Sequence, residues 1–232
     1  MSNGQTPTDA RWDRLLALAV HEFRTPVTVV AGYISMLLKD RAGPLNDQQR
    51  KLLEESAKST SRLSALIAEM SELASIEEGK TTINRTRAEF APLIADAVAA
   101  LPPVADREVN VTLQNGAPDA AVHADGARLK AALGSVLYAL RRELVTSTEL
   151  LVRVARATDD GRALLRISIA DDQHIDSVAS AAHTALGGFD EWRGGCGLSL
   201  ALARRIVNRH EGSVWSPAAD PRAGAVMFLP EA

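Results

Sequence analysis

The chain has 232 residues, 46% of them hydrophobic and 24% charged, which is enough for one large core or two small ones. A formal net charge of -3 supplies no basic excess to neutralise phosphates and argues against nucleic acid as the main partner. The single cysteine, Cys196, excludes an internal disulfide framework and fits a reducing compartment. The opening residues lack the basic and apolar regions of a signal peptide, and no run of about 18 apolar residues is read. The expectation is a cytoplasmic chain without a membrane segment, with little room before the first helix for an input domain.

From Arg11 to Asp40 the apolar residues Leu16, Val20, Phe23, Val27, Val30, Ile34 and Leu37 step by three and four, the seam of a helix packed along other helices. Thr8 or Asp9 is the candidate cap, and Pro26 predicts a bend just after His21. A breaker-rich turn from Arg41 to Asp47 follows, with Asn46 or Asp47 as the next cap. A second helix is expected over 47–78, its seam formed by Leu52, Ser56, Ser59, Leu63, Leu66, Met70 and Leu73. Two such helices with a short connection form an antiparallel hairpin. A lone hairpin leaves its seam half covered, so a four-helix bundle of two chains is predicted; the alternative is packing on its own C-terminal part alone.

His21 follows the seam residue Val20 and should sit at the seam margin, open to solvent. Arg24 and Thr25 lie three and four residues on, while Glu22 points away by roughly 100°. A surface histidine is commonly just solvated. Beside a carboxylate, an exposed imidazole is also suited to act as a nucleophile toward phosphorus.

After Lys80 the rhythm changes. A strand is predicted over 81–87, a helix over 90–101, a strand over 108–114, and a helix capped by Asp125 running to Leu144. Strands over 150–157 and 163–170 flank Asp159-Asp160-Gly161, a hairpin turn signal. A helix over 198–209 and strands over 213–216 and 225–229 complete an α+β fold, a two-layer sandwich.

Residues 15 to 40, containing His21-Glu22-Phe23-Arg24-Thr25-Pro26, resemble the H-box of bacterial sensor histidine kinases. Gly194-Gly195-Cys196-Gly197-Leu198 through Val214 resembles that family's last glycine box and the helix after it, and Phe189 to Arg193 resembles a remnant of its lid. The resemblance implies a dimerisation and histidine-phosphotransfer hairpin over 9–79 and a GHKL-type ATP-binding domain over 80–232. It also implies a homodimer, His21 as phosphoacceptor, Glu22 as acid/base group, and Thr25 as the residue that positions water for dephosphorylating a receiver domain.

The ATP site departs from the pattern. On the register of Asp125, Arg128, Leu129, Leu133 and Leu137, the two asparagines expected to hold magnesium fall on Ser135 and Ala139. Arg141 and Arg142 could meet phosphates directly, though helix-surface arginines are normally solvated. The Asp-x-Gly-x-Gly box reads Asp171-Asp172-Gln173-His174-Ile175, which keeps Asp171 for adenine but puts Gln173 and Ile175 in the nucleotide's space. The lid over 177–186 is short and alanine-rich, and reads as a helix. Gly195 and Gly197 remain as the rest of a phosphate loop, or as a tight entry into a helix. ATP and magnesium are therefore cofactors only if this degenerate site still binds them, and no metal-ligand set is assigned. Three functions stay open: a phosphotransferase that exchanges His21 phosphate with response-regulator receivers without ATP, an ATP-dependent histidine kinase, and a phosphatase-like or scaffolding dimer.

Overall fold

The computed structural model describes residues 7–103, 108–144, 147–159 and 161–232, with side chains described from residue 15 onward. The chain divides into two compact units, Met1–Thr82 and Ile83–Ala232.

The first unit is the expected hairpin. Helix α1 (Pro7–Leu38) runs through Pro26, which leaves the Glu22 carbonyl without its helical donor. The candidate caps Thr8 and Asp9 lie outside the residues whose side chains are described. Helix α2 (Asp47–Glu77) starts at Asn46 with a reciprocal cap. The Gln49 amide donates to Asn46 Oδ1 (2.8 Å), and the Asn46 amide donates to Gln49 Oε1 (3.0 Å). Arg50 fastens this start to the end of α1, donating to Asp40 Oδ1 (2.9 Å) and to the Leu38 carbonyl (3.1 Å).

The two helices pack together, with Val20 and Ile34 of α1 and Thr60, Ile67 and Ala74 of α2 buried. Within the single chain the covered stripe on α2 lies about one residue from the expected seam, and Leu52 and Leu63 are exposed. Phe23 and Val30 of the α1 stripe are exposed as well. Each helix carries more apolar surface than one neighbour can cover, so the three-four rhythm alone could not separate the covered stripe from the open one. By length and composition alone, Leu15–Leu38 is apolar enough to cross a bilayer (mean hydropathy 1.2), a test that bundle helices also pass.

In the second unit, β1 (Thr86–Glu89) leads into α3 (Phe90–Ala99), followed by β2 (Asn110–Asn115) and β3 (Ala121–Ala124). Helix α4 (Gly126–Glu143) precedes the hairpin β4 (Glu149–Asp159) and β5 (Arg162–Asp171). Then come the short α5 (Ile175–Ser180), β6 (Leu186–Gly188), α6 (Ser199–Arg209), β7 (Ser213–Pro217) and β8 (Gly224–Pro230). The six-stranded sheet has the order β2-β4-β5-β8-β7-β6, with β2 parallel to β4 and the other pairs antiparallel. Strands β1 and β3 form a separate antiparallel pair.

This is the expected α+β sandwich. On one side of the sheet, Val152, Val154, Leu165, Ile167, Ile169, Met227 and Leu229 are buried, as are Leu129, Leu133 and Leu137 of α4 and Leu200 of α6. On the other side, Leu151, Ala170, Val226 and Phe228 pack with Ile175 and Val178 of α5 and with Leu186. The first strand falls later than its expected 81–87, and β3 and β6 carried no recognisable pattern because four and three residues are too few to alternate. In the β4–β5 turn Gly161 has φ 76°, the left-handed geometry its position demands, while Asp160 lies outside the described residues.

Candidate functional site

Val20 is buried and His21 exposed, as expected for the margin of the hairpin seam. Glu22 and Thr25 are exposed on the same turns of α1. Among the described residues, no hydrogen bond joins His21, Glu22 or Thr25 to another side chain, so the structure leaves these three groups in solvent. Arg24 crosses to α2, with Nη2 donating to Ser71 Oγ (3.1 Å). That contact puts Glu69 level with the Thr25–Pro26 turn, a residue that sequence reasoning missed. Its Oε2 is buried without a hydrogen-bond partner, and burial pushes the carboxyl pKa up. Further along the hairpin an apolar groove of about 490 Å³ is lined by Ala31, Ile34, Leu38, Ala57 and Thr60 among others.

In the second unit the residues aligned with a nucleotide site are engaged in the fold. Asp125 caps α4 by accepting from the Arg128 amide (3.2 Å) and pairs with Arg128 Nη1 (2.7 Å). Burial raises the Asp125 pKa, but these bonds to Arg128 outweigh it and hold the carboxyl below its ordinary range. Ser135 Oγ donates to the Ala131 carbonyl of its own helix (3.1 Å). Ala139 is fully buried. Arg141 is taken up by the Val109 (2.8 Å) and Pro102 (3.0 Å) carbonyls, and Arg142 Nη1 donates to the Gly195 carbonyl (3.3 Å).

Asp171 Oδ1 accepts from the amides of Gln173 (3.1 Å) and His174 (2.9 Å) and contacts His174 Nδ1 (2.6 Å). This Asx-type turn ends β5 and starts α5. Ile175 does not enter the nucleotide's space as the sequence implied. It is buried on the opposite side of the sheet beside Val178, because a helix entered there turns its apolar face onto the strands. The expected lid helix is thus only α5, followed by a 3₁₀ turn (His183–Ala185) and β6.

The glycine loop is fixed by residues that sequence reasoning did not single out. Arg193 is 7% exposed, with Nε donating to Glu143 Oε2 (2.7 Å) and Nη2 to the same oxygen. Its Nη1 reaches the carbonyls of Pro221 (2.8 Å) and Gly224 (3.1 Å) and Ser216 Oγ (3.3 Å), and its guanidinium lies 5.6 Å from the Phe189 ring centroid. The Gly194 amide donates to Glu143 Oε1 (2.9 Å). Glu191 Oε1 accepts from Arg204 (2.6 Å) and Arg205 (2.8 Å) of α6. Gly194, Gly195 and Gly197 have φ of 67°, 59° and 64°, backbone that favours glycine. Among the described residues no group of three or more His, Cys, Asp or Glu could hold a metal ion.

Residues 11–79 match the His Kinase A (phospho-acceptor) domain. The cell-division control histidine kinase PdhS of Brucella ovis is 25% identical over 231 residues, covering 92% of this chain and 22% of that protein. The circadian input-output histidine kinase CikA of Thermosynechococcus vestitus is 28% identical over 212 residues, 85% of this chain and 28% of that one. This chain thus spans about a quarter of the length of these relatives. Full-length ShkA, solved in complex with AMPPNP, superposes with a TM-score of 0.69 at 21% identity, over 94% of this chain and 46% of ShkA. The Acinetobacter baumannii histidine kinase AdeS superposes at 0.52 with 16% identity, over 90% of this chain and 97% of AdeS. The phospho-acceptor hairpin, the relatives along nearly the whole chain and the shared fold agree: this chain carries a His Kinase A (phospho-acceptor) domain and is similar over most of its length to sensor histidine kinases.

Proposed function

We propose that the chain is a homodimeric phosphotransferase that carries a phosphoryl group on His21 and exchanges it with receiver-domain aspartates in the cytoplasm, without using ATP. The observation that carries this reading is the contrast between the two ends of the chemistry. His21, Glu22 and Thr25 stand open on α1, whereas the nucleotide-site positions Ala139, Ser135 and Asp171 are committed to packing or to local hydrogen bonds. The residues present do not fit a magnesium–nucleotide complex. Ala139 has no side-chain oxygen to offer a metal, and it is covered by Gly194. Exposed Phe23 and Val30 of α1 and Leu52 and Leu63 of α2 leave apolar surface on the hairpin, which a second copy would cover to complete a four-helix bundle.

In the transfer, a P–N bond forms between the His21 imidazole and phosphorus while the P–O bond to the receiver aspartate breaks. The aspartate leaves as a carboxylate, and the imidazole proton passes to Glu22 or to water. The onward step reverses this at a second receiver. Positioning supplies most of the rate, because the phosphoramidate and the acyl phosphate are both energy-rich. In this reading Thr25, one turn beyond His21, orients water when the partner's phosphate is hydrolysed instead.

The test is transfer of label from a phosphorylated receiver. His21→Ala abolishes it, and Glu22→Gln slows it by roughly 100-fold or more. Unchanged transfer in His21→Ala sinks the reading, and a wild-type chain that takes no label at all favours a scaffold. A second reading, an ATP-dependent kinase, draws on the positive φ of Gly194, Gly195 and Gly197, a conformation through which backbone can approach phosphates. Micromolar binding of ATP with magnesium, measured by calorimetry, decides for that reading.

A further inference from the structure

One nucleotide-site departure, Ala139, lies at a contact between the glycine loop and the end of α4. A β-carbon built on Gly194 would lie 2.8 Å from the Ala139 Cα and carbonyl oxygen and 2.9 Å from its Cβ, so the loop backbone rests directly on the position aligned with a metal-holding asparagine. One turn along α4, Glu143 binds the same loop with both oxygens: Oε1 takes the Gly194 amide and Oε2 takes Arg193. The Arg193 side chain is 4% exposed, and its remaining donors reach carbonyls that follow β7 and begin β8. Arg142, from the same turn of α4, holds the Gly195 carbonyl.

We propose that Glu143 and Arg193 form an internal latch that closes the glycine loop onto α4, ordering it in the place of a bound nucleotide and making this domain a fixed body. The proposal rests on the reading that ATP is not used. The buried Arg193 needs the partly buried Glu143, because without it the guanidinium would be an uncompensated buried charge. The small side chain at 139 is then a requirement of the closed loop, and the glycines serve its tight approach to the helix.

Hydrogen exchange on the full chain tests it. In the wild-type protein the amides of Arg193 to Gly197 exchange slowly, and adding ATP with magnesium leaves them unchanged. Glu143→Asp, which keeps the charge but withdraws it by one methylene, speeds their exchange by about tenfold or more while β5 and β8 stay protected. Exposed-loop exchange in a wild-type protein that ignores ATP overturns the latch alone. Loop exchange unmoved by Glu143→Asp does the same. Micromolar ATP binding by the wild type overturns both the latch and the phosphotransferase reading.

Discussion

Gly194 sits on Ala139 with less space between them than a single β-carbon requires. A missing metal ligand and a surviving glycine are therefore two halves of one packing contact. Restoring the asparagine by Ala139→Asn inserts an amide into a fully buried position under the loop. The expected outcome is a loss of about 1–3 kcal/mol in denaturant unfolding, with no gain of nucleotide binding.

Ile175→Ala checks the assignment of the segment after β5. Ile175 is buried with Val178, Val226 and Phe228 on the face of the sheet that α5 covers. Truncation there costs about 2–4 kcal/mol, read from the unfolding midpoint. A side chain projecting into an open nucleotide cleft would give a change near zero.

At the start of α2, Asn46→Ala removes the side-chain half of the reciprocal cap, the Oδ1 that accepts from the Gln49 amide, and keeps the backbone half. A loss of about 1 kcal/mol is expected, with faster amide exchange confined to the first turn of α2.

Glu69 gives the hairpin a pH dependence with a definite sign. Burial raises its carboxyl pKa above the ordinary 4.5 in the folded state. Below that ordinary value the group is protonated in both folded and unfolded chains and has no effect. As pH rises through the raised folded value, stability falls, because the folded state must hold a proton or bury a charge. Glu69→Gln removes this loss. The variant should match the wild type at acid pH and exceed its hairpin stability at neutral pH. Equal stability at both pH values contradicts the burial of Oε2.

The helical hairpin and the exposed position of His21 were legible because a long three-four rhythm is hard to misread and because the motif around His21 is specific. Which stripe of α2 is covered was not legible, since Leu52 and Leu63 look as apolar as Ile67. In the second unit the long strands β4, β5 and β8 and the Asp125 cap could be read directly, whereas β3 and β6 were too short. The Glu143–Arg193 pair lies 50 residues apart in sequence and left no local signal. Ile175 was misplaced for a related reason. Its side chain was judged by a motif position, while its burial is decided by where α5 lands on the sheet.

The most direct measurement is phosphate on His21 after incubation with γ-labelled ATP and magnesium alone, compared with incubation with a phosphorylated receiver. The account predicts label on His21 only from the receiver. Label on His21 from ATP alone contradicts it.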